Sequence, residues 1–321
     1  AMQRWVEGRF LAGVSIALLR PGKPTHVHCT GWADQERGER LREDHLFRLF
    51  SSTKLVTSTA ALLLMEEGRL ALDDPVERFL PALAGRRVLK PGARTIDDTV
   101  PCERPITVAH LLSHTSGLAY GLFDPGSLLF EAYTKQRVLA RNTTLAQMID
   151  ALAPLPLAFQ PGTSWEYSVA TDVVARIVEV VSGQAFDTFL RKRIFEPLGM
   201  SDTGFVVPER DRPRLAAMYV GVDPANPTKP GLERGEPRLQ PDTNLKPVAR
   251  LSGGGGMVSS LGDSVKLLAA LMPGPRSLLK ASTLALFGVN RLPEGCFQSF
   301  PDRGVLKGRA HGVAGGLVLE P

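Results

Sequence analysis

Strand-like segments stand at both ends of this chain, and helical patterns fill the part between them. Near the amino terminus, residues 13–19 and 25–32 are strand-like and flank Pro21-Gly22, which predicts a β-hairpin. Near the carboxy terminus, residues 315–320 are strand-like as well. We therefore predict an α/β (α+β) fold in which an antiparallel sheet is built from both chain ends and flanked by helices.

The helical segments are apolar or amphipathic and end at glycine or proline. The longest covers residues 53–67 and is stopped by Gly68. The others are residues 107–113, 144–152, 170–182, 186–195, 264–271 and 282–289. This order predicts an α/β domain made of residues 1–75 and 250–321, and a mainly helical region, residues 76–249, on the other side of a cleft. Loop-like composition from about 206 to 250 predicts a lid or pocket wall.

Composition indicates an ordinary globular protein, with 43% hydrophobic and 22% charged residues. A length of 321 residues fits one large domain or two closely packed ones. The net charge is +5, but the basic residues are scattered, and the densest cluster, residues 191–193, lies on a predicted helix as a solvated face. We expect no nucleic-acid partner.

Cysteine spacing and apolar run lengths exclude several other classes. Cys29, Cys102 and Cys296 are far apart, which indicates neither a disulfide framework nor a zinc site, and we expect no metal. Apolar runs fall short of the ~20 residues that a membrane span needs. No signal-peptide pattern is visible at the amino terminus. We therefore expect a soluble protein, cytoplasmic rather than periplasmic.

A nucleophile with a nearby base is the first requirement of acyl-transfer chemistry. The G-x-S-x-G pattern of α/β-hydrolases is absent, whereas Ser51-Ser-Thr-Lys54 stands where the chain enters the long predicted helix. Three-residue spacing on a helix brings the Ser51 and Lys54 side chains to one face, about 5–6 Å apart at Cβ. The free N–H groups and dipole of the first turn favour negative charge at this serine.

The S-x-x-K pattern alone is weak, because Ser277-Leu-Leu-Lys280 repeats it. Ser277 follows a Pro-Gly-Pro turn, so we interpret it as a turn or cap residue. Helix capping is also the alternative for Ser51. A base role for Lys54 further requires burial or a nearby positive charge that lowers the lysine pKa from about 10.4.

Longer segments around these residues resemble the class C β-lactamase and penicillin-binding protein family. The first is Phe47-Arg-Leu-Phe-Ser-Ser-Thr-Lys54 with the apolar helix after it. Further family-like blocks follow in the family's order. They are Thr107-Val-Ala-His-Leu-Leu-Ser-His-Thr-Ser-Gly117, Phe159-Gln-Pro-Gly-Thr-Ser-Trp-Glu-Tyr-Ser168, Phe195-Glu-Pro-Leu-Gly-Met200 and Ser252-Gly-Gly-Gly-Gly-Met-Val-Ser259. The resemblance covers nearly the whole chain and implies a β-lactamase/transpeptidase-like fold.

The resemblance implies a role for each of three residues. Ser51 would be the acylated nucleophile, Lys54 its proton partner, and Tyr167 the tyrosine that passes a proton to the leaving group. Whether Lys54 or a Tyr167 phenolate is the acylation base stays open, because their protons belong to a coupled pair. The alternative for Tyr167 is a packed aromatic side chain.

Two departures from the family pattern bear on the substrate. Lactamases have Tyr-x-Asn where this chain has Tyr167-Ser-Val169, and Val169 cannot hydrogen-bond a lactam amide side chain. This block is similar to that of family VIII carboxylesterases and related acyltransferases. The third motif (Lys-Thr-Gly, His-Thr-Gly or Trp-Gly-Gly) is not found, and residues 315–321 resemble the strand before it, so we expect it to follow residue 321.

These residues and the family resemblance therefore favour a serine carboxylesterase that acts on small-molecule esters without a cofactor. A β-lactamase, a D-amino-acid peptidase or an acyltransferase on the same scaffold is the alternative, and a catalytically silent binding homologue is a further one. We assign structural roles to His114 and His311. Asp73 and Asp74 adjoin a proline turn and are interpreted as capping residues.

Overall fold

The computed structural model describes residues 2–20, 23–122, 124–223, 225–226, 228–235, 244–300 and 304–319. The chain forms two compact units. The first unit comprises Ala1–Leu49, Ile194–Pro247 and Gly256–Leu278, and the second comprises Phe50–Arg193, Val248–Gly255 and Leu279–Pro321. The domain division predicted from the sequence groups the residues differently and stays a prediction.

The helices occupy mainly the middle and later parts of the chain. In chain order they are α1 (Met2–Glu7), α2 (Thr53–Glu66), α3 (Val108–Leu112), α4 (Leu128–Lys135), α5 (Leu145–Leu152), α6 (Ala170–Ser182), α7 (Phe186–Leu190), α8 (Glu196–Leu198), α9 (Leu261–Ala270) and α10 (Ala281–Ala285).

The strands form short antiparallel ladders. They are β1 (Gly13–Arg20), β2 (Lys23–Asp34), β3 (Glu39–Arg40), β4 (Leu46–Arg48), β5 (Arg87–Leu89), β6 (Thr99–Pro101), β7 (Tyr219–Gly221), β8 (Leu232–Arg234), β9 (Val258–Ser260), β10 (Ser299–Phe300), β11 (Gly304–Val305), β12 (Arg309–His311) and β13 (Gly316–Val318).

The first unit contains the amino-terminal sheet, in the order β1-β2-β3. The predicted hairpin is confirmed, with Gly13 opposite Gly31, while the predicted Pro21-Gly22 turn lies outside the described residues. Gly31 has a φ of +86°, and a Cβ there would lie 2.4 Å from the Ala12 carbonyl oxygen, so the close approach of β1 and β2 requires glycine.

A second ladder of the first unit joins β4 to β9. Its buried side chains, Leu46 and Val258, pack with Val207. Within the predicted loop, residues 206–250, β7 pairs with β8, and the role of this segment as a lid or pocket wall stays a prediction. Residues 236–243 of that predicted loop lie outside the described residues.

The second unit is built around α2 and α6, which pack against each other, with α3 and α5 also packed on α6. Most of α2 is buried, as expected of a helix that is apolar nearly all round. α6 ends at Gly183, whose left-handed conformation (φ 71°) closes the helix. In the same unit, β12 and β13 pair antiparallel with each other. One sheet shared by both chain ends stays a prediction.

Most predicted helices are confirmed close to their predicted bounds. Thr107 and Thr144 cap α3 and α5 through capping boxes, so the sequence signals for these starts were local. The single helix predicted over residues 186–195 is instead α7 followed by a π-helical turn, Arg191–Phe195. Among the described residues, no helix is long and apolar enough to span a membrane.

Candidate active site

Ser51 lies in the second unit, in a single 3₁₀ turn, Phe50–Ser52, that leads directly into α2. Its Oγ accepts a hydrogen bond from the Tyr167 hydroxyl at 2.6 Å. The helix N-cap is Ser52, whose side chain makes no capping hydrogen bond. The capping alternative for Ser51 is therefore not supported, since its hydroxyl faces Tyr167 at the positive end of α2.

Lys54 points toward Ser51 from the first turn of α2, as the three-residue spacing predicts. Its Nζ donates to Ser51 Oγ at 3.4 Å and to the Gly254 carbonyl oxygen at 2.5 Å. The ammonium also lies 4.7 Å from the ring centroid of Tyr167 and 5.8 Å from that of Tyr120. A backbone carbonyl and two aromatic rings thus fix the position of this amine.

Tyr167 lies on the loop that precedes α6, and several contacts hold this loop in place. The backbone N–H of Glu166 donates to the His114 carbonyl oxygen at 3.0 Å, and that of Ser168 donates to His114 Nδ1 at 3.2 Å. The Tyr167 ring stacks on Tyr120 at a centroid distance of 5.7 Å. Both backbone contacts go to His114, so this residue holds the backbone on either side of Tyr167.

Two histidines stand beside these groups and are held neutral. Burial, then the charges of His311 and Lys54, lowers the pKa of His114 well below its usual value. Burial, then the Lys54 charge, lowers the pKa of His311 to about 4. The two rings are 5.2 Å apart. Both histidines line the cavity that contains Ser51, and the hydrogen bond that His114 accepts from Ser168 fits its predicted structural role.

The cavity at Ser51 has a volume of about 330 Å³, which is in the range of small-molecule sites. The side chains that could carry chemistry there include Ser51, Lys54, His114, Tyr167 and His311. Val169, where lactamases have asparagine, is fully buried and does not line this cavity. The cavity thus brings a serine hydroxyl together with a lysine amine and a tyrosine phenol, and position 169 adds no amide to it.

Tyr120 and Asp172 also lie near the site, and neither was predicted from the sequence as a site residue. Asp172 is buried on α6, and its Oδ1 has no hydrogen-bond partner among the described residues. Burial, then the Asp172 charge, raises the pKa of Tyr120. No local pattern indicates this pair, because the two residues come from different segments. Gly254, the acceptor for Lys54, did lie within a family-like block.

The second S-x-x-K copy behaves as predicted. The Ser277 hydroxyl donates to the carbonyl oxygens of Met272 and Gly274, at 2.5 and 2.8 Å, and so closes a turn. In the described part of the chain, no group of three or more His, Cys, Asp or Glu side chains is arranged to hold a metal ion.

Comparison with known proteins gives a consistent result. The family profile described as Beta-lactamase matches residues 2–313. The chain is 35% identical over 277 residues to Esterase EstB of Burkholderia gladioli, covering 83% of this chain and 67% of that protein. The solved structure of EstCE1, described as a hydrolase with promiscuous acyltransferase activity, is similar with a TM-score of 0.80 and 28% identity, over 99% of this chain and 81% of that one. A D-amino acid amidase from Ochrobactrum anthropi is similar with a TM-score of 0.69 and 27% identity, over 98% and 77% of the two chains.

Proposed function

Because the chain belongs to the Beta-lactamase family, whose fold and serine-hydrolase character it shares, we propose that it is a carboxylesterase that cleaves small carboxylic esters through an acyl-enzyme on Ser51. One observation carries the proposal: Ser51 Oγ lies 2.6 Å from the Tyr167 hydroxyl oxygen and 3.4 Å from Lys54 Nζ. A hydroxyl with two proton carriers in reach is the arrangement that nucleophilic catalysis needs.

The proposed reaction has two steps. In the first, Ser51 Oγ attacks the ester carbonyl carbon while its proton passes to the Lys54–Tyr167 pair, and the negative charge on the carbonyl oxygen is favoured by the amino-terminal end of α2. The C–O bond then breaks, and Tyr167 gives a proton to the departing alcohol. In the second step, water attacks the acyl carbon, a proton returns to Ser51 Oγ, and the acid leaves.

Val169 supports an ester rather than a lactam as substrate. A site that recognises an amide group loses much of its discrimination when the hydrogen-bonding side chain is replaced by an apolar one. The Val169 side chain is apolar and fully buried, and it does not line the cavity that contains Ser51. The name of one similar protein, Esterase EstB, points the same way.

Acyl transfer is a second candidate, since EstCE1 is described as having promiscuous acyltransferase activity. An alcohol would then replace water in the second step, with the same acyl-enzyme and the same proton carriers. Adding an alcohol acceptor to the ester assay and measuring the new ester separates the two outcomes.

The test is the turnover of p-nitrophenyl butanoate by Ser51→Ala. We expect kcat/KM to fall by about 10³-fold or more, and a fluorophosphonate probe to add one adduct to the wild-type chain and none to the variant. Ser277→Ala is the matched control, because it removes the serine of the other S-x-x-K copy, and it should keep wild-type activity. Full activity in Ser51→Ala would refute the nucleophile, and faster turnover of a cephalosporin than of the ester would refute the substrate class.

A further inference from the structure

A second cavity of about 320 Å³ lies in the same unit, and Tyr167 lines it as well as the cavity that contains Ser51. We call it the aromatic cavity. Because one side chain lines both spaces, the two cavities adjoin at Tyr167.

Six aromatic side chains of the described residues line this space, and four of them, Tyr120, Tyr167, Phe300 and Trp165, form a connected cluster. Tyr167 stacks on Tyr120 at 5.7 Å with planes 10° apart, and its centroid is 5.8 Å from that of Phe300. Trp165 meets Phe300 edge-on at 5.2 Å. Aromatic faces attract cations, and clusters of them are the usual binding sites of quaternary ammonium groups.

Two carboxyl groups, those of Glu166 and Asp124, line the same cavity. Burial, and then the charge of Asp124, raises the pKa of Glu166 to about 7. Among the described residues, Glu166 forms no ion pair with any lysine, arginine or histidine of the chain. A partly buried carboxylate without a cation is costly, and a cationic ligand would compensate for its charge.

This inference rests on the proposed ester hydrolysis at Ser51. We propose that the aromatic cavity binds the alcohol part of the ester and selects alcohols that carry a compact ammonium group. The alcohol is assigned here because Tyr167, the proposed proton donor to the leaving oxygen, lines both cavities. The acyl part then stays in the cavity at Ser51.

Competing ligands fit this lining less well. A metal ion would need more oxygen or nitrogen ligands than two carboxylates, and the described residues contain no group of three such side chains. A neutral alcohol of the same shape would contact the rings but would leave the Glu166 carboxylate without a counter-charge. The difference between a cationic and a neutral alcohol is therefore the quantity to measure.

The experiment compares two esters of equal shape, butanoylcholine and 3,3-dimethylbutyl butanoate, at pH 8, where Glu166 is mostly ionised. We expect kcat/KM to favour the cationic ester by about 10-fold. In Glu166→Gln this ratio should fall about 10-fold, toward unity. Glu131→Gln is the matched control, because it removes the same charge from an exposed residue of α4 that does not line the aromatic cavity. The ratio of kcat/KM values for the two esters should be the same in this variant as in the wild type.

Each outcome has a distinct meaning. Equal turnover of the two esters by the wild type, or an unchanged ratio in Glu166→Gln, overturns the cation subsite and leaves ester hydrolysis standing. Turnover of neither ester overturns the proposed function instead. Calorimetric titration of the wild-type protein with choline chloride gives an independent readout: binding that Glu166→Gln weakens about 10-fold supports the cation subsite, and absence of binding refutes it.

Discussion

The Glu166 carboxyl makes the stability of the second unit depend on pH. Its pKa is raised from 4.5 to about 7 in the folded chain, first by burial and then by the Asp124 charge. The neighbouring Tyr133 hydroxyl stays neutral in this range, because burial raises its pKa. The folded state therefore holds the Glu166 proton more tightly than the unfolded state. The resulting stabilisation is fully present below pH 4.5 and is lost as the pH rises through about 7.

The magnitude follows from the interval between these two pKa values. At about 1.4 kcal/mol per pKa unit, the ionised carboxyl lowers the free energy of unfolding by about 3 kcal/mol at pH 8 relative to low pH. Glu166→Gln has nearly the same shape and does not ionise. We therefore expect the variant to be more stable than the wild type by about 3 kcal/mol at pH 8 and by about 1 kcal/mol at pH 5, where part of the stabilisation by the Glu166 proton is already lost.

Urea unfolding at pH 5 and pH 8 measures this difference directly. Circular dichroism monitors the unfolding, and hydrogen exchange of the α6 amides reports on the second unit. Glu131→Gln serves as the control and should shift stability equally at the two pH values. If the wild type and Glu166→Gln differ by the same amount at pH 5 and pH 8, the carboxyl does not ionise in a buried environment, and the reasoning is refuted.

Three further predictions concern the site and the core. Tyr167→Phe should lower kcat/KM for p-nitrophenyl butanoate by about 10²–10³-fold without changing the thermal midpoint, because only the proton-carrying oxygen is lost; an active variant would contradict this. With a neutral ester, the pH profile of kcat/KM should show no histidine inflection near pH 6.5, since the pKa of His311 is about 4; an inflection there that disappears in His311→Gln would contradict this. Gly253→Ala should destabilise the protein by about 1–3 kcal/mol, because the added Cβ would lie 2.7 Å from the Ala175 Cβ. Gly274→Ala is the control and should not lower the thermal midpoint, because a Cβ at position 274 would have no atom within 4 Å.

The sequence predicted well those features that depend on neighbouring residues. The starts of α3 and α5 follow from Thr107 and Thr144, whose side chains cap the next turn. The approach of Lys54 to Ser51 follows from helical spacing alone. By contrast, α4 was not predicted, because its eight residues follow a Pro-Gly segment that reads as a loop.

Features that depend on distant segments were beyond local patterns. Tyr167 lies 116 residues from Ser51, so only the resemblance to a known family indicated that the two would meet. Nothing in the sequence indicated that Glu166 and Asp124 share a cavity, because that arrangement exists only once the loop before α6 and the segment before α4 have folded. The three-residue strands β7 and β8 are likewise too short to show a period of two.

The contact between Lys54 and the Gly254 carbonyl has a consequence for protein engineering. A Cβ at position 254 would lie 2.5 Å from Asp172 Oδ2, so every other amino acid would displace the backbone oxygen that holds the lysine. Randomising this codon should return glycine in nearly all active clones. Ser299 and Phe130 border the aromatic cavity and not the cavity that contains Ser51, so a library at codons 299 and 130 can change the alcohol preference while acylation is preserved.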